Sequence, residues 1–206
     1  MFYPANHFNN KQNYKFLSGS VIPRPIAWIT SLTPDKSVVN AAPFSFYNVV
    51  ASKIPLVAVA VMREENGTKK HTAINILKNH QAVVQVSDFK NRKAVNKTSA
   101  SLAGDESEIK LANLKLEASR LIAVPRIKGT KIQFETKLHQ YLPLKDNSGV
   151  VMTDLLLLEI LGYHFADEVF DRQKQYLKEK EIDPISRLAG NSFAKLGKEF
   201  ILKRPR

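Results

Sequence analysis

Cysteine is absent from the 206 residues of this sequence. The fold therefore has no disulfide bond, no thiolate metal site and no redox-active thiol pair, so any redox chemistry requires a bound cofactor. Long apolar runs are missing too. No segment approaches the roughly 20 apolar residues that cross a bilayer, and residues 1–16 lack the basic and apolar regions of a secretory signal. We expect a cytoplasmic protein that makes no membrane contact.

Glycine and histidine are both sparse. The eight glycines do not form a Gly-x-Gly-x-x-Gly fingerprint or a phosphate-binding loop, so a Rossmann dinucleotide site is unsupported. Ser18-Gly19-Ser20 is more simply a turn than part of a serine hydrolase site, because the Gly-x-Ser-x-Gly elbow is missing. The five histidines never form His-x-His or His-Glu-x-x-His, so the sequence predicts no metal site, and only a tertiary cluster would create one.

Positive charge, by contrast, is in excess. The formal net charge is +12, which raises the possibility of a nucleic-acid partner. The basic residues are spread along the chain, however, with a modest cluster only at residues 195–206. This distribution is more typical of a solvated surface, and we predict no nucleic-acid partner. The excess charge would still attract small anions such as phosphorylated cofactors.

Short apolar stretches separated by polar turns indicate a mainly β fold. The predicted strands are residues 25–32, 37–42, 55–62, 82–86, 130–142 and 150–165. Residues 155–165 should be buried on both faces over much of their length, and residues 166–206 should form a charged tail. Apolar spacing predicts a helix over residues 72–80, with weaker helices before residue 101 and around residues 108–114. Because a parallel sheet needs a crossover helix after each strand, we expect a small antiparallel barrel with short capping helices.

Three motifs in a fixed order carry a resemblance to a known family. They are SGSVIPRPIAWIT at residues 18–30, NAAPFSFYN at 40–48 and RLAGN at 187–191. Together they resemble the flavin reductase-like FMN-binding split-barrel family, particularly the branch that contains the nitrilotriacetate monooxygenase component B proteins. The likeness covers about residues 16–193, and KHTAINI at 70–76 falls where the family usually has Lys-Asp-Thr-Ala-x-Asn-Ile.

The resemblance implies one antiparallel, Greek-key-like split β-barrel domain over residues 1–206, assembled as a homodimer. It implies an FMN-dependent flavin reductase that takes hydride from NADH or NADPH and passes electrons to a partner monooxygenase, a free flavin or another acceptor. The alternative is an FMN-binding electron carrier without efficient turnover of NADH or NADPH. A basic nucleic-acid-binding barrel is a weaker alternative, since it gives no reason for the motif at residues 40–48.

An FMN site must neutralise a phosphate dianion while leaving one ring face open for hydride transfer. Small residues in the second motif would let the backbone approach the ring edge. The expected cofactor contacts are Arg24, Thr30, Asn40, Ala41, Ala42, Pro43, Ser45, Phe46, Lys70, Thr72, Arg187 and Asn191. Phe46 has an alternative interpretation as core and Arg187 as an anchor of the tail, while Trp28 is expected in the core. No catalytic acid or base is expected.

Three positions depart from the family pattern. His71 replaces the usual aspartate after the lysine, and Ala189 replaces the first glycine of the commoner Arg-Leu-Gly-Gly-Asn. A Gly-Asp-His element that often precedes the late strand is missing around Thr153 and Asp154. In many relatives its histidine can meet the nicotinamide, so no nicotinamide-binding residue is predicted for this chain.

Overall fold

The computed structural model describes residues 1–103 and 106–205. Its strands, numbered in chain order, are β1 Arg24–Pro25, β2 Ala27–Leu32, β3 Val39–Phe44, β4 Tyr47–Ala51, β5 Leu56–Met62, β6 Gln81–Val86, β7 Leu116–Glu117, β8 Arg126–Ile127, β9 Ile132–Lys145, β10 Val151–Phe165, β11 Phe170–Asp171, β12 Tyr176–Leu177, β13 Ile185–Arg187 and β14 Phe193–Lys195. The helices are α1 Asn10–Ser20, α2 His71–Asn79, α3 Arg92–Lys97, α4 Glu108–Leu111 and α5 Glu179–Ile182. Within the described residues, no helix has the length and apolar character needed to cross a membrane.

Seven strands form one antiparallel sheet whose two edges are consecutive in the chain. The strand order is β3-β2-β6-β9-β10-β5-β4. Edge strands β3 and β4 are joined only by Ser45 and Phe46, so a two-residue link brings the two edges together. The sheet therefore closes as a barrel that is split between β3 and β4, which do not pair with each other in the described sheet. The prediction of a mainly β, antiparallel fold with short helices is confirmed.

Alternate residues of the barrel strands point into an apolar core. From β2, Ala27 and Ile29 take part, and α2 contributes Ala73 and Ile76. Burying one such side chain stabilises the fold by about 1.5–3 kcal/mol for a residue the size of valine or isoleucine. The buried members are Ala27, Ile29, Val57, Val59, Val61, Ala73, Ile76, Ala82, Val84, Leu156 and Leu158. This core explains the helical spacing of apolar residues in α2, because one side of the helix packs on it.

The outer face of β2 is covered as well, so this strand is buried on both sides. Trp28 packs with Val95 of α3, and its indole N–H donates to Thr98 Oγ1 at 2.9 Å. The cluster on this side also contains Ile26, Ala41, Ile109, Ile127 and Ile185. It holds α3, α4 and β13 against the outside of β2 and β3, next to the candidate site.

Most predicted elements are confirmed with small shifts at their ends. Helix α2 ends before His80, which adopts a left-handed conformation with a φ of 57°. Strand β3 begins two residues later than predicted because hydrogen bonds extend the turn: the Thr33 N–H donates to the Val38 carbonyl. Within this turn, hydrogen bonds from Thr33 and Ser37 lower the pKa of Asp35 to about 2.

Three predictions about the fold differ from the structure. In β10, Leu156 and Leu158 are fully buried but Leu155 and Leu157 are half-buried, so within one chain a single face lies in the core. The helix predicted around residues 108–114 ends at Leu111. The predicted charged tail contains β11 to β14 and α5, because β13 pairs with both β1 and β14. Helix α1 and strand β4 were not predicted.

Glu135 on β9 is a fully buried carboxylate that fastens the loop before β8. Its two oxygens accept the backbone N–H groups of Arg120 and Leu121, both at 2.7 Å, and His164 Nε2 lies 2.5 Å from Oε1. Burial raises the pKa of Glu135, but the hydrogen bonds from these two N–H groups and from His164 outweigh it and hold the pKa below its ordinary value. The group is therefore ionised in the folded chain at neutral pH.

We expect Glu135→Gln to lower the free energy of unfolding at pH 7 by about 1–3 kcal/mol, because an amide cannot accept both backbone N–H groups as the carboxylate does. Since the folded pKa is lowered, this contribution is present above the unfolded glutamate pKa of about 4.3 and is lost as the pH falls through the folded value. Urea unfolding at pH 7 and at acidic pH measures the effect.

The gap between wild type and Glu135→Gln should shrink on acidification. Glu168→Gln, at an exposed side chain, is the control and should change stability by less than about 0.5 kcal/mol. A gap that stays constant with pH would contradict the assignment of an ionised Glu135.

Candidate functional site

The free edge of β3 borders a groove. The Ala41 N–H points away from β2 and donates to the Glu108 carboxylate at 3.1 Å. Pro43, two residues further along the same edge, has no N–H, which suits an edge strand because no ladder hydrogen bond is lost there. The small side chains of Ala42 and Pro43 leave this edge open to close approach by a ligand.

Two adjoining cavities make up the groove. The first, of about 450 Å³, lies at the start of α2, and we call it the helix-end cavity. The second, of about 210 Å³, lies beside Ser45, and we call it the Ser45 cavity. Pro43 and Ser99 line both, so the two cavities form one continuous candidate site along β3.

The helix-end cavity contains the lysines of the groove, Lys69 and Lys70, and its lining also includes Glu64 and Glu108. The Glu108 carboxylate is bonded to Asn40 and to the Ala41 N–H. Helix α2 begins at His71, and Lys70 before it has a donor side chain that cannot accept the first N–H groups of the helix. The first N–H groups of the helix and its dipole favour an anion here. Lys70 Nζ lies 3.4 Å from Glu64, a half-exposed partner. These groups suit a phosphate better than an uncharged ligand.

A buried polar network fixes the position of β3. The Glu108 carboxylate accepts two hydrogen bonds from Asn40 Nδ2, at 3.0 and 2.9 Å. Asn40 Oδ1 in turn accepts the Thr72 hydroxyl at 2.8 Å. Both ends of the Asn40 side chain are thus bound within the protein. Asn40 and Thr72 form part of the groove wall, but their side chains mainly tie β3 to α2 and α4.

Arg24 is an anchor rather than an open cation. It is 5% exposed, and its guanidinium donates to the carbonyls of Ser18, Val21 and Leu188. Its Nε donates to the Ser45 hydroxyl at 3.4 Å. These four hydrogen bonds use four of the five guanidinium N–H groups, so the structure gives Arg24 the role of holding α1, Ser45 and the segment after β13 together. Arg24 does not line either cavity of the groove, and the expected phosphate contact stays a prediction.

Four other expected contacts lie outside the described walls of the groove. Thr30 is fully buried and donates to the Pro125 carbonyl at 2.7 Å, and the Ala41 side chain is buried in the cluster around Trp28. Phe46 lies near Tyr14, with ring centres 6.2 Å apart. Asn191 is exposed in the turn between β13 and β14. The expected residues that do line the groove are Asn40, Ala42, Pro43, Ser45, Lys70, Thr72 and Arg187.

Arg187 lines the Ser45 cavity, whereas Lys69 and Lys70 line the helix-end cavity at the other end of the groove. Its guanidinium donates to the Gly190 carbonyl, and Cζ lies 4.6 Å from the centre of the Phe193 ring. The side chain is half-buried and makes no ion pair within the described residues. Arg187 is therefore both an anchor of the β13–β14 turn and a cation at the wall of the site.

Several residues of the groove were not predicted from the sequence. Ser99 and Ser101 follow α3 and line the helix-end cavity, while Tyr14 of α1 and Asn96 of α3 line the Ser45 cavity. The hydroxyl-rich run Thr98-Ser99-Ala100-Ser101 was a usable signal, because hydroxyl groups often bind phosphate and sugar oxygens. Tyr14 carried no such signal, since its place depends on how α1 packs.

Comparison with known proteins identifies the family. Residues 18–180 match the flavin reductase-like domain. The chain belongs to the flavin reductase-like family. The Bacillus subtilis protein YwrF is 44% identical over 203 residues, which cover 98% of each chain. The family recognised from the motifs at residues 18–30, 40–48 and 187–191 is thereby confirmed.

Solved structures agree with this assignment of family and fold. Nitrilotriacetate monooxygenase component B from Bacillus cereus is 38% identical, with a TM-score of 0.93 and 98% of each chain covered. A protein with a split barrel domain from Shewanella frigidimarina is 16% identical, with a TM-score of 0.82 and full coverage of both chains. The split-barrel fold predicted for this flavin reductase-like chain is confirmed, and the family supports a flavin oxidoreductase.

We expect Glu108→Gln to loosen the edge of β3 and to weaken flavin retention. An amide cannot accept the three N–H bonds that the carboxylate accepts, and leaving a buried N–H unpaired costs about 1–3 kcal/mol. Urea unfolding should show this loss, and the flavin content of the purified variant should fall. Glu106→Gln, at an exposed neighbour that accepts the Ala103 N–H, is the matched control. Equal behaviour of the two variants would remove Glu108 from the support of the site.

Proposed function

We propose that the groove along β3 binds FMN and that the protein is a flavin reductase, which takes hydride from NADH or NADPH. The observation that carries this proposal is that the small-residue edge of β3 runs directly into the lysine-rich start of α2. One end of the groove suits a flat ring and the other suits a phosphate. Membership of the flavin reductase-like family supports the same assignment.

The residues of the groove fit the two ends of FMN. Lys69 and Lys70 would hold the phosphate together with the first N–H groups of α2, because charge-assisted bonds to phosphate are the strongest available there. Thr72 acts through its backbone N–H, since its hydroxyl is bound to Asn40. Ser99 and Ser101 line the same cavity. The Ser99 hydroxyl donates to the Asn96 carbonyl at 2.6 Å, so the Ser101 hydroxyl is the one that would donate to a phosphate or ribityl oxygen.

At the other end, Ala42, Pro43 and Ser45 would contact the ring. Arg24 positions the Ser45 hydroxyl through their hydrogen bond. Bound FMN supplies a ring that accepts hydride and passes on electrons. The protein's contribution is to orient the ring against the donor, and we assign no side-chain acid or base because a hydride carries its own electron pair.

We propose that the electrons leave to a partner monooxygenase, a free flavin or another acceptor. One of the similar structures is a monooxygenase component B, which supports a partner of this class. NADH and NADPH are soluble metabolites of the cytoplasm, where we expect the protein to act. The net charge of +12 would raise the local concentration of these anionic donors.

Absorbance and anaerobic mixing test this function. The purified protein should show the absorbance bands of oxidised flavin, and NADH or NADPH should bleach them within seconds. Flavin that stays oxidised in the presence of both donors would favour the alternative, an FMN-binding electron carrier without efficient turnover. A protein that binds no flavin at all would overturn the proposal.

Lys70→Ala should weaken the binding of FMN more than that of riboflavin, because a lysine that pairs with phosphate has no partner on the unphosphorylated ligand. A charge-assisted contact is worth about 1.5–3 kcal/mol, which corresponds to roughly ten- to a hundredfold in affinity. Titration of both ligands measures the difference. Lys78→Ala, at the exposed last turn of α2, is the control and should bind both as wild type does. An equal loss for both ligands would place Lys70 away from the phosphate.

We also propose that two copies pair through the outer face of the barrel at β5 and β10. Leu155 lies between Leu142 of β9 and Ala60 of β5, and Leu157 lies beside Ala58. These half-buried apolar side chains form a continuous row across three strands on the face that points away from the core. A patch of this kind marks an interaction surface, and a second copy of the chain presents the same row.

Sedimentation should give a species of twice the 23.2 kDa chain mass at micromolar concentration. Leu157→Arg should convert it to a monomer, because a buried guanidinium without a partner is costly in an interface. Leu111→Arg adds the same charge at an exposed residue of α4 and should leave the dimer intact. A wild-type monomer at this concentration would rule the homodimer out.

A further inference from the structure

A third cavity, of about 470 Å³, adjoins the Ser45 cavity, and we call it the α3 cavity. It lies between α3 and the β13–β14 hairpin. Asn96 and Phe193 line both the α3 cavity and the Ser45 cavity, so the two share a wall. Its volume falls within the range of about 300–1,000 Å³ that is typical of small-molecule sites. Any ligand here would lie beside the ring end of the proposed flavin site.

The walls of the α3 cavity are largely apolar and include two aromatic rings. Phe89 is 38% exposed and Phe193 is 40% exposed, while Ile185 beneath them is buried. Ala194 completes this apolar surface. Apolar and aromatic side chains that line a concave surface favour an apolar ligand, because contact removes both surfaces from water.

The remaining lining is cationic. Arg92, Lys93, Lys97 and Lys195 all line the cavity, and its described lining contains no carboxylate. Arg92 Cζ and Lys195 Nζ lie 3.9 and 4.5 Å from the centre of the Phe89 ring. Lys195 is paired with Asp183 at 2.7 Å, whereas Lys93 and Lys97 make no ion pair within the part of the chain that the structure describes. Converging positive charges with few partners favour an anion.

We propose that the α3 cavity binds an aromatic carboxylate, with its ring against the apolar wall of Phe89, Ile185, Phe193 and Ala194 and its charge beside Lys93 and Lys97. The apolar part of the wall suits a flat ring, and the unpaired charges of Lys93 and Lys97 suit a negative group attached to it. The apolar side chains of Phe89, Ile185, Phe193 and Ala194 give the sugars of a dinucleotide no hydrogen-bond partner, whereas they remove an aromatic ring from water. The binding itself is independent of the proposed flavin chemistry, and only the position beside the ring rests on the proposed function.

Calorimetric titration of the purified, flavin-loaded protein with 1-naphthoate tests the site, and 1-naphthalenemethanol is the uncharged comparison. The acid should bind at least about tenfold more tightly than the alcohol. The double variant Lys93→Gln/Lys97→Gln should lose this advantage, because both lysines line the α3 cavity and neither lines the flavin groove. Its flavin absorbance should match that of wild type.

Lys145→Gln/Lys174→Gln removes the same net charge at exposed residues and should bind naphthoate as wild type does. Equal affinity for acid and alcohol would overturn the proposal, as would wild-type affinity in the Lys93→Gln/Lys97→Gln variant. So would binding of adenosine 2′,5′-bisphosphate at these lysines without binding of naphthoate. A protein that contains no flavin would contradict the proposed function, yet the same titration would still decide the carboxylate site.

Discussion

The hydrogen bonds from β3 to Glu108 are the interaction on which the site depends. A barrel whose edges are joined by two residues leaves β3 with an unpaired edge, and unpaired backbone groups there must find partners or face water. Glu108 binds the Ala41 N–H and the Asn40 amide, and the Ser107 hydroxyl donates to the Val39 carbonyl. The backbone groups at the beginning of the β3 edge, residues 39–41, thus have partners within the protein. The next two residues, Ala42 and Pro43, border the groove.

In the same arrangement, the residues that hold the elements together are different from those that are available to a ligand. Residues that tie elements together are buried and bonded within the protein. Arg24 donates to three carbonyls, and Asn40 is bonded to Glu108 and Thr72. By contrast, Lys69 lies at the groove wall and makes no ion pair within the described residues, so its charge is available to a ligand. The motif at residues 40–48 therefore has two roles. Asn40 and Ala41 hold β3 in place through Glu108, and Ala42 and Pro43 border the groove.

Much of the fold was predictable because its signals are local. The alternation in β9, the apolar spacing of α2 and the turn at residues 33–36 each depend on neighbouring residues. The site was predictable only in part. Lys70, Pro43 and Ser45 were found through motifs, but the roles of Arg24, Thr30 and Asn40 depend on partners such as Leu188, Pro125 and Glu108 that lie 164, 95 and 68 residues away. Sequence patterns carry no information about such pairings.

The central claim is that one groove, from the start of α2 to Ser45, holds the flavin, and hydrogen exchange with and without FMN tests it most directly. FMN should slow exchange in peptides that cover residues 40–48, 70–76 and 98–102, because these segments line the two cavities. Riboflavin should protect residues 40–48 and leave residues 70–76 nearly unchanged, since it lacks the phosphate. Protection by FMN that misses residues 40–48 and 70–76 would contradict the account.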